Sequence, residues 1–260
     1  MSDRTKIVTG LGRAELDRIL VRGYDLTENL LGKISFAQMS FLMLVGHLPT
    51  PNETRMTDAL LNVLVEHGMT AGAVATRLTY HSAPEAIQGA VAVALLGAGS
   101  VHLGSSEWSA RMLQEALPRE TGDTDLDQVA ATVVENYVAT KTHIPGIGHG
   151  THTQGDPRAE RLFDIATETG CHARYCELIR RIASIAETLR GRRLPVNVTG
   201  AIAAIASDMG LPWQMAKAFA LVGRTLGAVA HIGEEIRRPM ARNITNAIHS
   251  ALTYEQDGKA

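Results

Sequence analysis

Cysteine is scarce. The 260 residues hold two, Cys171 and Cys176, too few for the disulfide framework on which small secreted domains depend. Aromatic residues are also few, with four Phe, five Tyr and two Trp. Neither sign of charge dominates: 25 Lys+Arg against 27 Asp+Glu leaves a formal −2. That balance argues against reliance on a general nucleic-acid field, because phosphate binding draws on clustered cations. No run of about 18 uncharged apolar residues occurs, so a membrane span is not expected. The opening segment, MSDRTKIVTGLGRAELDR, is charged throughout and has no signal-peptide core. A cytoplasmic protein is expected. Alternating strand patterns closed by Asn-Gly or Asp-Gly turns are missing as well.

Helical punctuation is what the sequence does contain. With 45% apolar and 20% charged residues, the chain can bury a sizeable core in one large domain or two modest ones. Ser35-Phe36-Ala37-Gln38 reads as a capping box. It opens an apolar run through Met43 and Leu44 that stops at Gly46. Asn52 can cap a helix with Met56, Leu60, Val63 and Leu64 on one face, closed by Gly68. Pro84 to Gly99 is rich in Ala and Gly and reads as a tightly buried helix. Helical stripes recur at Val129, Val133 and Tyr137, and again at Ala159, Leu162, Phe163 and Ala166. Ile179, Ile182, Ala186 and Leu189 predict a helix over 172–190. Two more are expected at 199–209, ending at Gly210, and at 213–229. Pro118 to Asp127 is the most polar connector and reads as a loop. The fold class is all-α.

Two of the ten histidines sit among glycines, His102 in Gly97-Ala98-Gly99-Ser100-Val101-His102-Leu103-Gly104 and His149 in Pro145-Gly146-Ile147-Gly148-His149-Gly150. Glycine there lets a ligand approach the backbone and the imidazole closely. Such a histidine can donate to a developing oxyanion or shuttle a proton near neutral pH; a satisfied turn histidine is the bland alternative for each. His143, His149 and His152 resemble half a metal-ligand set, but no Cys or carboxylate pair completes it, and no metal is expected. Gly104-Ser105-Ser106 lacks the spacing of a nucleophile elbow. Cys171 and Cys176 read as buried structural thiols. No phosphate-binding Gly-rich loop is present. Asp156-Pro157-Arg158 follows the His149 loop, with Pro157 suited to a first helical turn. Arg224 lies inside an apolar segment and needs either an anionic ligand or an internal partner, Glu234 or Asp208.

These segments resemble the citrate synthase superfamily, and within it the short citryl-CoA lyases and the C-terminal lyase module of ATP-citrate lyase. The similarity begins at Arg22-Gly23-Tyr24-Asp25-Leu26 and continues through Ser35-Phe36 and Gly46-His47-Leu48-Pro49 to the last helix. The resemblance implies a helical homodimer or higher homo-oligomer. It implies a large domain of residues 1–103 and 223–260, a small domain of 104–222 inserted into it, and an active site in the cleft between. By position, His102 matches the histidine that hydrogen-bonds the thioester oxygen as an enolate forms. His149 matches the histidine that polarises the oxo-acid carbonyl. Arg158 and Arg224 match carboxylate-binding arginines, and Arg238, before Pro239, matches one that enters the neighbouring subunit's site. Ile144, Gly146, Ile147 and Gly148 line the expected CoA path. No cofactor is implied beyond the CoA thioester as substrate, and no nucleic-acid or membrane partner.

The chain departs from the family at Asn197-Val198-Thr199-Gly200, where Thr199 replaces the aspartate that moves a proton on the acetyl carbon. A threonine hydroxyl is not an ordinary base. Thr151, Thr153 and Gln154 are neutral where relatives often carry a cation near the CoA phosphates; Arg192 and Arg193 are candidates to compensate. His81 falls near a family substrate histidine but reads as a helix-start residue. The expected function is carbon–carbon cleavage of citryl-CoA, or a similar polycarboxylic acyl-CoA, to acetyl-CoA and oxaloacetate or another 2-oxo acid. The alternatives are a Claisen or aldol enzyme acting on a different oxo acid or acyl-CoA, and a non-catalytic citrate or CoA binder.

Overall fold

Ser35 caps the first helix as its sequence requires. Its hydroxyl accepts from Gln38 N–H, the Gln38 side chain accepts from Ser35 N–H, and Gly46 ends the helix in the left-handed region. The computed structural model describes residues 7–99, 103–120, 122 and 124–255. Among them the helices are α1 (Phe36–Val45), α2 (Pro51–Asn62), α3 (Ala71–Ser82), α4 (Ile87–Leu96), α5 (Ser105–Ala116) and α6 (Leu126–Ala139). There follow α7 (Pro157–Thr169), α8 (Arg174–Arg190), α9 (Val198–Asp208), α10 (Ala218–Arg237) and α11 (Ala241–Ala251). None is long and apolar enough to cross a membrane.

Several boundaries differ from expectation. Thr50 and Glu53, not Asn52, cap α2 reciprocally, and the helix ends at Asn62 rather than running to Gly68. Residues 213–229 divide into a 3-10 turn, Trp213–Met215, and the start of the longer α10. His81 lies in the last turn of α3, not at a helix start. A small antiparallel sheet, β1 (Gly12–Ala14), β2 (Ile19–Val21) and β3 (Tyr24–Asp25), pairs Arg13 with Leu20 and Val21 with Tyr24. Arg22 and Gly23, both at positive φ, make the tight turn between β2 and β3.

By internal packing the chain divides into two compact units, residues 1–62 with 104–219, and residues 63–103 with 220–260. Within the first unit α2 packs on α7 and Arg55 ion-pairs with Glu168.

In the first unit α9 is the central helix, touched by α5, α7 and α8. Val198 and every residue from Gly200 to Ser207 are buried. A helix apolar on all sides belongs in a core, and its Ala and Gly residues let neighbours approach closely. Gly200 is the extreme case, since a Cβ there would lie 2.5 Å from the Gly146 carbonyl oxygen. Gly146 itself has φ +84°, open to glycine at little cost. Gly200→Ala is therefore expected to destabilise the protein by about 1–3 kcal/mol through overpacking, read as a lower urea midpoint. At the other end of α9, Asp208 accepts from the N–H groups of Ala173, Tyr175 and Cys176. It thereby caps α8, whose own N-cap residue makes no side-chain bond. Cys176 is buried, and burial pushes its thiol well up. Burial raises that of Cys171 too, so neither is poised as a nucleophile.

In the second unit α3 packs against α4 and α11. α4 is not the tightly buried helix expected: Ala90 and Ala94 are buried, but Leu96 is 83% exposed. Arg77 is the largest fully buried side chain. It ion-pairs with Glu234 and with Glu235, and its Nε donates to His231 Nδ1 at 3.1 Å. Glu235 also accepts from the N–H groups of Met240 and Ala241, both at 2.9 Å. A buried cation is tolerable only when paired in this way.

Candidate active site

The N-terminus of α9 organises the candidate site of the first unit. Asn197 is its N-cap, and Oδ1 accepts from the N–H groups of Thr199 and Gly200, both at 3.1 Å. The other face of that amide donates from Nδ2 to the Gly148 carbonyl at 2.7 Å. Gly148 N–H donates to Pro195, Asn197 N–H donates to Gly146, and Ile147 pairs with Val196 as an isolated bridge. Two loops distant in sequence, 146–148 and 195–197, are thus stitched together by backbone bonds. The expected CoA-path residues Gly146 and Ile147 are buried in this seam.

Asp156 anchors the second half of the cluster. It is 0% exposed and caps α7, with Pro157 at the first helical position as expected. Its Oδ2 accepts the Val198 N–H at 2.9 Å, one of the orphan donors at the start of α9. The same carboxylate holds Arg158 in a fork, Nε to Oδ1 at 3.0 Å and Nη2 to Oδ2 at 2.9 Å. Burial alone would raise the carboxyl of Asp156, but the Arg158 guanidinium and the Val198 N–H hold it below the ordinary aspartate range.

His149 stands against this pair. Its Nδ1 accepts from the N–H groups of Thr151 and His152, both at 3.0 Å. A ring nitrogen that accepts cannot carry the proton, so the neutral imidazole bears its hydrogen on Nε2. Nε2 lies 3.4 Å from Nη2 of Arg158, a group without a lone pair to accept it. The Nε2–H is thereby left for an incoming oxygen. Burial is the main influence that lowers His149 below the ordinary histidine value, with smaller contributions from His152 and Arg158, and Asp156 opposes them. The neutral ring therefore persists to lower pH than a free histidine. The acid limb of kcat/KM is expected below about pH 6.5, checked by a pH–rate profile with the limb lost in a His149 variant.

Thr199 sits within the same network. Its hydroxyl donates to Asn197 Oδ1 at 2.7 Å and accepts from the Ser105 hydroxyl at 2.8 Å. Ser105, the first residue of α5, drew attention in the sequence only within Gly104-Ser105-Ser106, and nothing there tied it to Thr199. Thr199, His149, Arg158 and residues 146–148 are thus joined by a continuous set of contacts. His102 lies outside the described residues. Among the described residues no group of three His, Cys, Asp or Glu side chains could hold a metal ion.

Arg224 and Arg238 belong to the second unit. Of the internal partners weighed for Arg224, Glu234 is taken by Arg77 and Asp208 caps α8. Its Nε is buried with no hydrogen-bond partner among the described residues. Burial lowers its affinity for the proton and the charge of Glu66 partly restores it. A guanidinium so placed is suited to an anionic ligand. Arg238 is exposed, just ahead of the turn that Glu235 pins at Met240 and Ala241.

The fold and the sequence are shared with known proteins. Citryl-CoA lyase from Hydrogenobacter thermophilus has a similar structure, with a TM-score of 0.87 at 33% identity, covering 98% of this chain and 96% of that one. ATP citrate lyase from Methanosaeta concilii, solved with (3S)-citryl-CoA, shares the fold at a TM-score of 0.75 and 16% identity, over 100% of this chain and 43% of its own. A citrate synthase of Synechocystis is 26% identical over 210 residues, 78% of this chain and 50% of that protein. The chain spans about half the length of the curated relatives it matches. Residues 13–244 match the model for the citrate synthase C-terminal domain, and the chain belongs to the citrate synthase family.

Proposed function

We propose that the protein is a carbon–carbon lyase that cleaves citryl-CoA, or a similar polycarboxylic acyl-CoA, to acetyl-CoA and oxaloacetate or another 2-oxo acid. The observation that carries this reading is the Nε2–H of His149, fixed in one tautomer by two backbone amides and set beside the Asp156–Arg158 pair. In the condensation direction such a donor polarises a ketone; in cleavage water takes the hydroxyl proton, the donor holds the oxygen as the tertiary alkoxide from which the carbon–carbon bond breaks, and the acetyl enolate released takes a proton from water. A donor fixed before the substrate arrives needs no reorganisation as charge develops. Arg158 supplies a positive charge next to that oxygen, and its fork with Asp156 keeps it from collapsing onto the ring. The family resemblance assigns Arg224 and Arg238 to the remaining carboxylates and His102 to the thioester oxygen.

The thioester's nucleotide end is assigned to a pocket beside the 144–147 segment. Lys141, His143, Ile144, Ile147, Arg190 and Arg192 are among its lining residues. Lys141, Arg190 and Arg192 stand in for the cations missing after His149. Arg192 supports this role better than Arg193, which ion-pairs with Glu187 at 3.3 Å.

The protein is further proposed to be a homodimer. Leu226, Val229 and Ile236 recur at helical spacing on α10, and all are exposed, as is Ile248 on α11. Light scattering is expected to give twice the 27.9 kDa chain mass, and Leu226→Asp to shift it toward the monomer. A monomeric wild type contradicts this.

The cleavage reading is tested by incubating the protein with citryl-CoA and measuring acetyl-CoA and oxaloacetate together. Equal release of both is expected. Oxaloacetate at background while citryl-CoA persists overturns the reading.

A further inference from the structure

We propose that the protein also catalyses a decarboxylative condensation, in which a malonyl thioester of CoA loses CO2 and the resulting enolate adds to a 2-oxo acid. The proposal goes beyond the cleavage activity and rests on that reading for the role of the site in handling an enolate.

The carrying observation is a chain of hydroxyls whose direction can be read. Asn197 Oδ1 can only accept, and it takes the N–H groups of Thr199 and Gly200 together with the Thr199 hydroxyl. Thr199 has then committed its one hydroxyl proton. At the 2.8 Å contact between the two hydroxyls Ser105 must be the donor, and its proton is committed as well. The three groups hold no ionisable base and no spare hydroxyl proton at the position where the family resemblance places an aspartate. The carboxylate tied to the same cluster, Asp156, is buried and fully engaged. Its Oδ1 accepts from the backbone N–H and Nε of Arg158, and its Oδ2 accepts from Arg158 Nη2 and Val198 N–H.

With His149 the cluster can stabilise charge on oxygen, but it has no base of its own to take a proton from carbon; the enolate left by citryl-CoA cleavage takes its proton from water. The cluster is matched to substrates whose enolate arises from breaking a carbon–carbon bond rather than a carbon–hydrogen bond. Citryl-CoA is one such substrate. A thioester carrying a carboxylate on its α-carbon is another with the same CoA frame. In the proposed step the bond between the α-carbon and the carboxylate carbon breaks, and CO2 departs. The electron pair remains as the thioester enolate, whose α-carbon then bonds to the ketone carbon of the oxo acid. The ketone oxygen becomes an alkoxide, held by His149 Nε2–H, and takes one proton from water. A neutral residue at 199 sets no like charge against the departing carboxylate. Hydroxyls with committed protons give it no donor that would hold its charge in the ground state.

The test compares two substrates on one preparation, each with oxaloacetate. Malonyl-CoA labelled in the free carboxylate is followed by release of labelled CO2 and by formation of citryl-CoA, counted from the earliest time points before its own cleavage. Acetyl-CoA deuterated on the methyl is followed by deuterium loss and by condensation. Wild type is expected to release CO2 and form citryl-CoA from malonyl-CoA at least about 10²-fold faster than it condenses or exchanges acetyl-CoA, the usual weight of a positioned proton carrier. Thr199→Asp is expected to narrow that ratio by about tenfold or more, and Thr199→Ser to keep it, with melting temperatures confirming that both fold. Deuterium loss or condensation from acetyl-CoA at the malonyl rate overturns the proposal, as does condensation of malonyl-CoA with oxaloacetate no faster than with His149→Ala. A citryl-CoA cleavage assay on the same preparation separates the two readings. Cleavage without malonyl turnover overturns the decarboxylative step alone, and absence of both overturns both.

Discussion

His149→Ala is expected to lower kcat for citryl-CoA cleavage by about 10²–10⁴-fold while changing KM little. The ring donates to an oxygen whose charge grows as the carbon–carbon bond breaks, so the interaction is stronger in the transition state than in the bound substrate. Removing such an interaction reduces kcat and kcat/KM together. The fold should survive. The ring is half-buried, and the two N–H groups it satisfies, those of Thr151 and His152, lie in a loop where water can replace it. Steady-state kinetics beside a thermal melt checks the pair of statements. A large rise in KM with kcat unchanged would make His149 a binding group and not a stabiliser of the developing alkoxide.

Asp156→Asn carries the second large effect, and it falls on stability as well as activity. The carboxylate does three things at once: it caps α7, satisfies the first N–H of α9 and grips Arg158. An amide of the same shape can accept with only one of its two heavy atoms, and its NH2 would face donors at the other. Breaking a buried pair on one side costs on the order of 3 kcal/mol, which in a domain of this size lowers Tm by about 6–12 °C. The pH dependence follows from the lowered carboxyl. Because Asp156 binds its proton less readily folded than unfolded, its stabilisation is complete above the ordinary aspartate value near 4. It is lost as pH falls through the lower folded value. The difference in Tm between wild type and Asp156→Asn is therefore expected to be full at pH 7 and to shrink under strong acid. Arg158, released from its fork, should also disturb His149, so kcat falls with stability.

Much of the helical frame was legible. Ser35 with Gln38, Asp156 with Pro157, and Gly210 after α9 are local signals whose physics is complete within a few residues. The three strands were not, because each is two or three residues long and too short for alternation to register. Ile19-Leu20-Val21 followed by Arg22-Gly23 was the available sign. In the site, His149, Arg158 and Thr199 could be named from their resemblance to a family pattern. What Thr199 does there could not, since it depends on Ser105, 94 positions away. Pro157 marked a helix start, but the bond between Asp156 and Val198 joins elements that only folding brings together. Arg77 escaped notice although it is fully buried. A lone arginine in an apolar helix with Glu234 and Glu235 elsewhere in the chain was the same kind of signal that singled out Arg224.

The carbonyl of the bound oxo acid reports on the central claim more directly than any rate. With oxaloacetate labelled with carbon-13 at its ketone, the bound resonance is expected to move downfield from its position in water, and the ketone stretch to fall in frequency, as the His149 Nε2–H draws electron density onto oxygen. In His149→Ala the ligand is expected to bind with both signals close to their solution values. A ketone that binds to the wild type with its resonance and stretch unmoved would contradict the account.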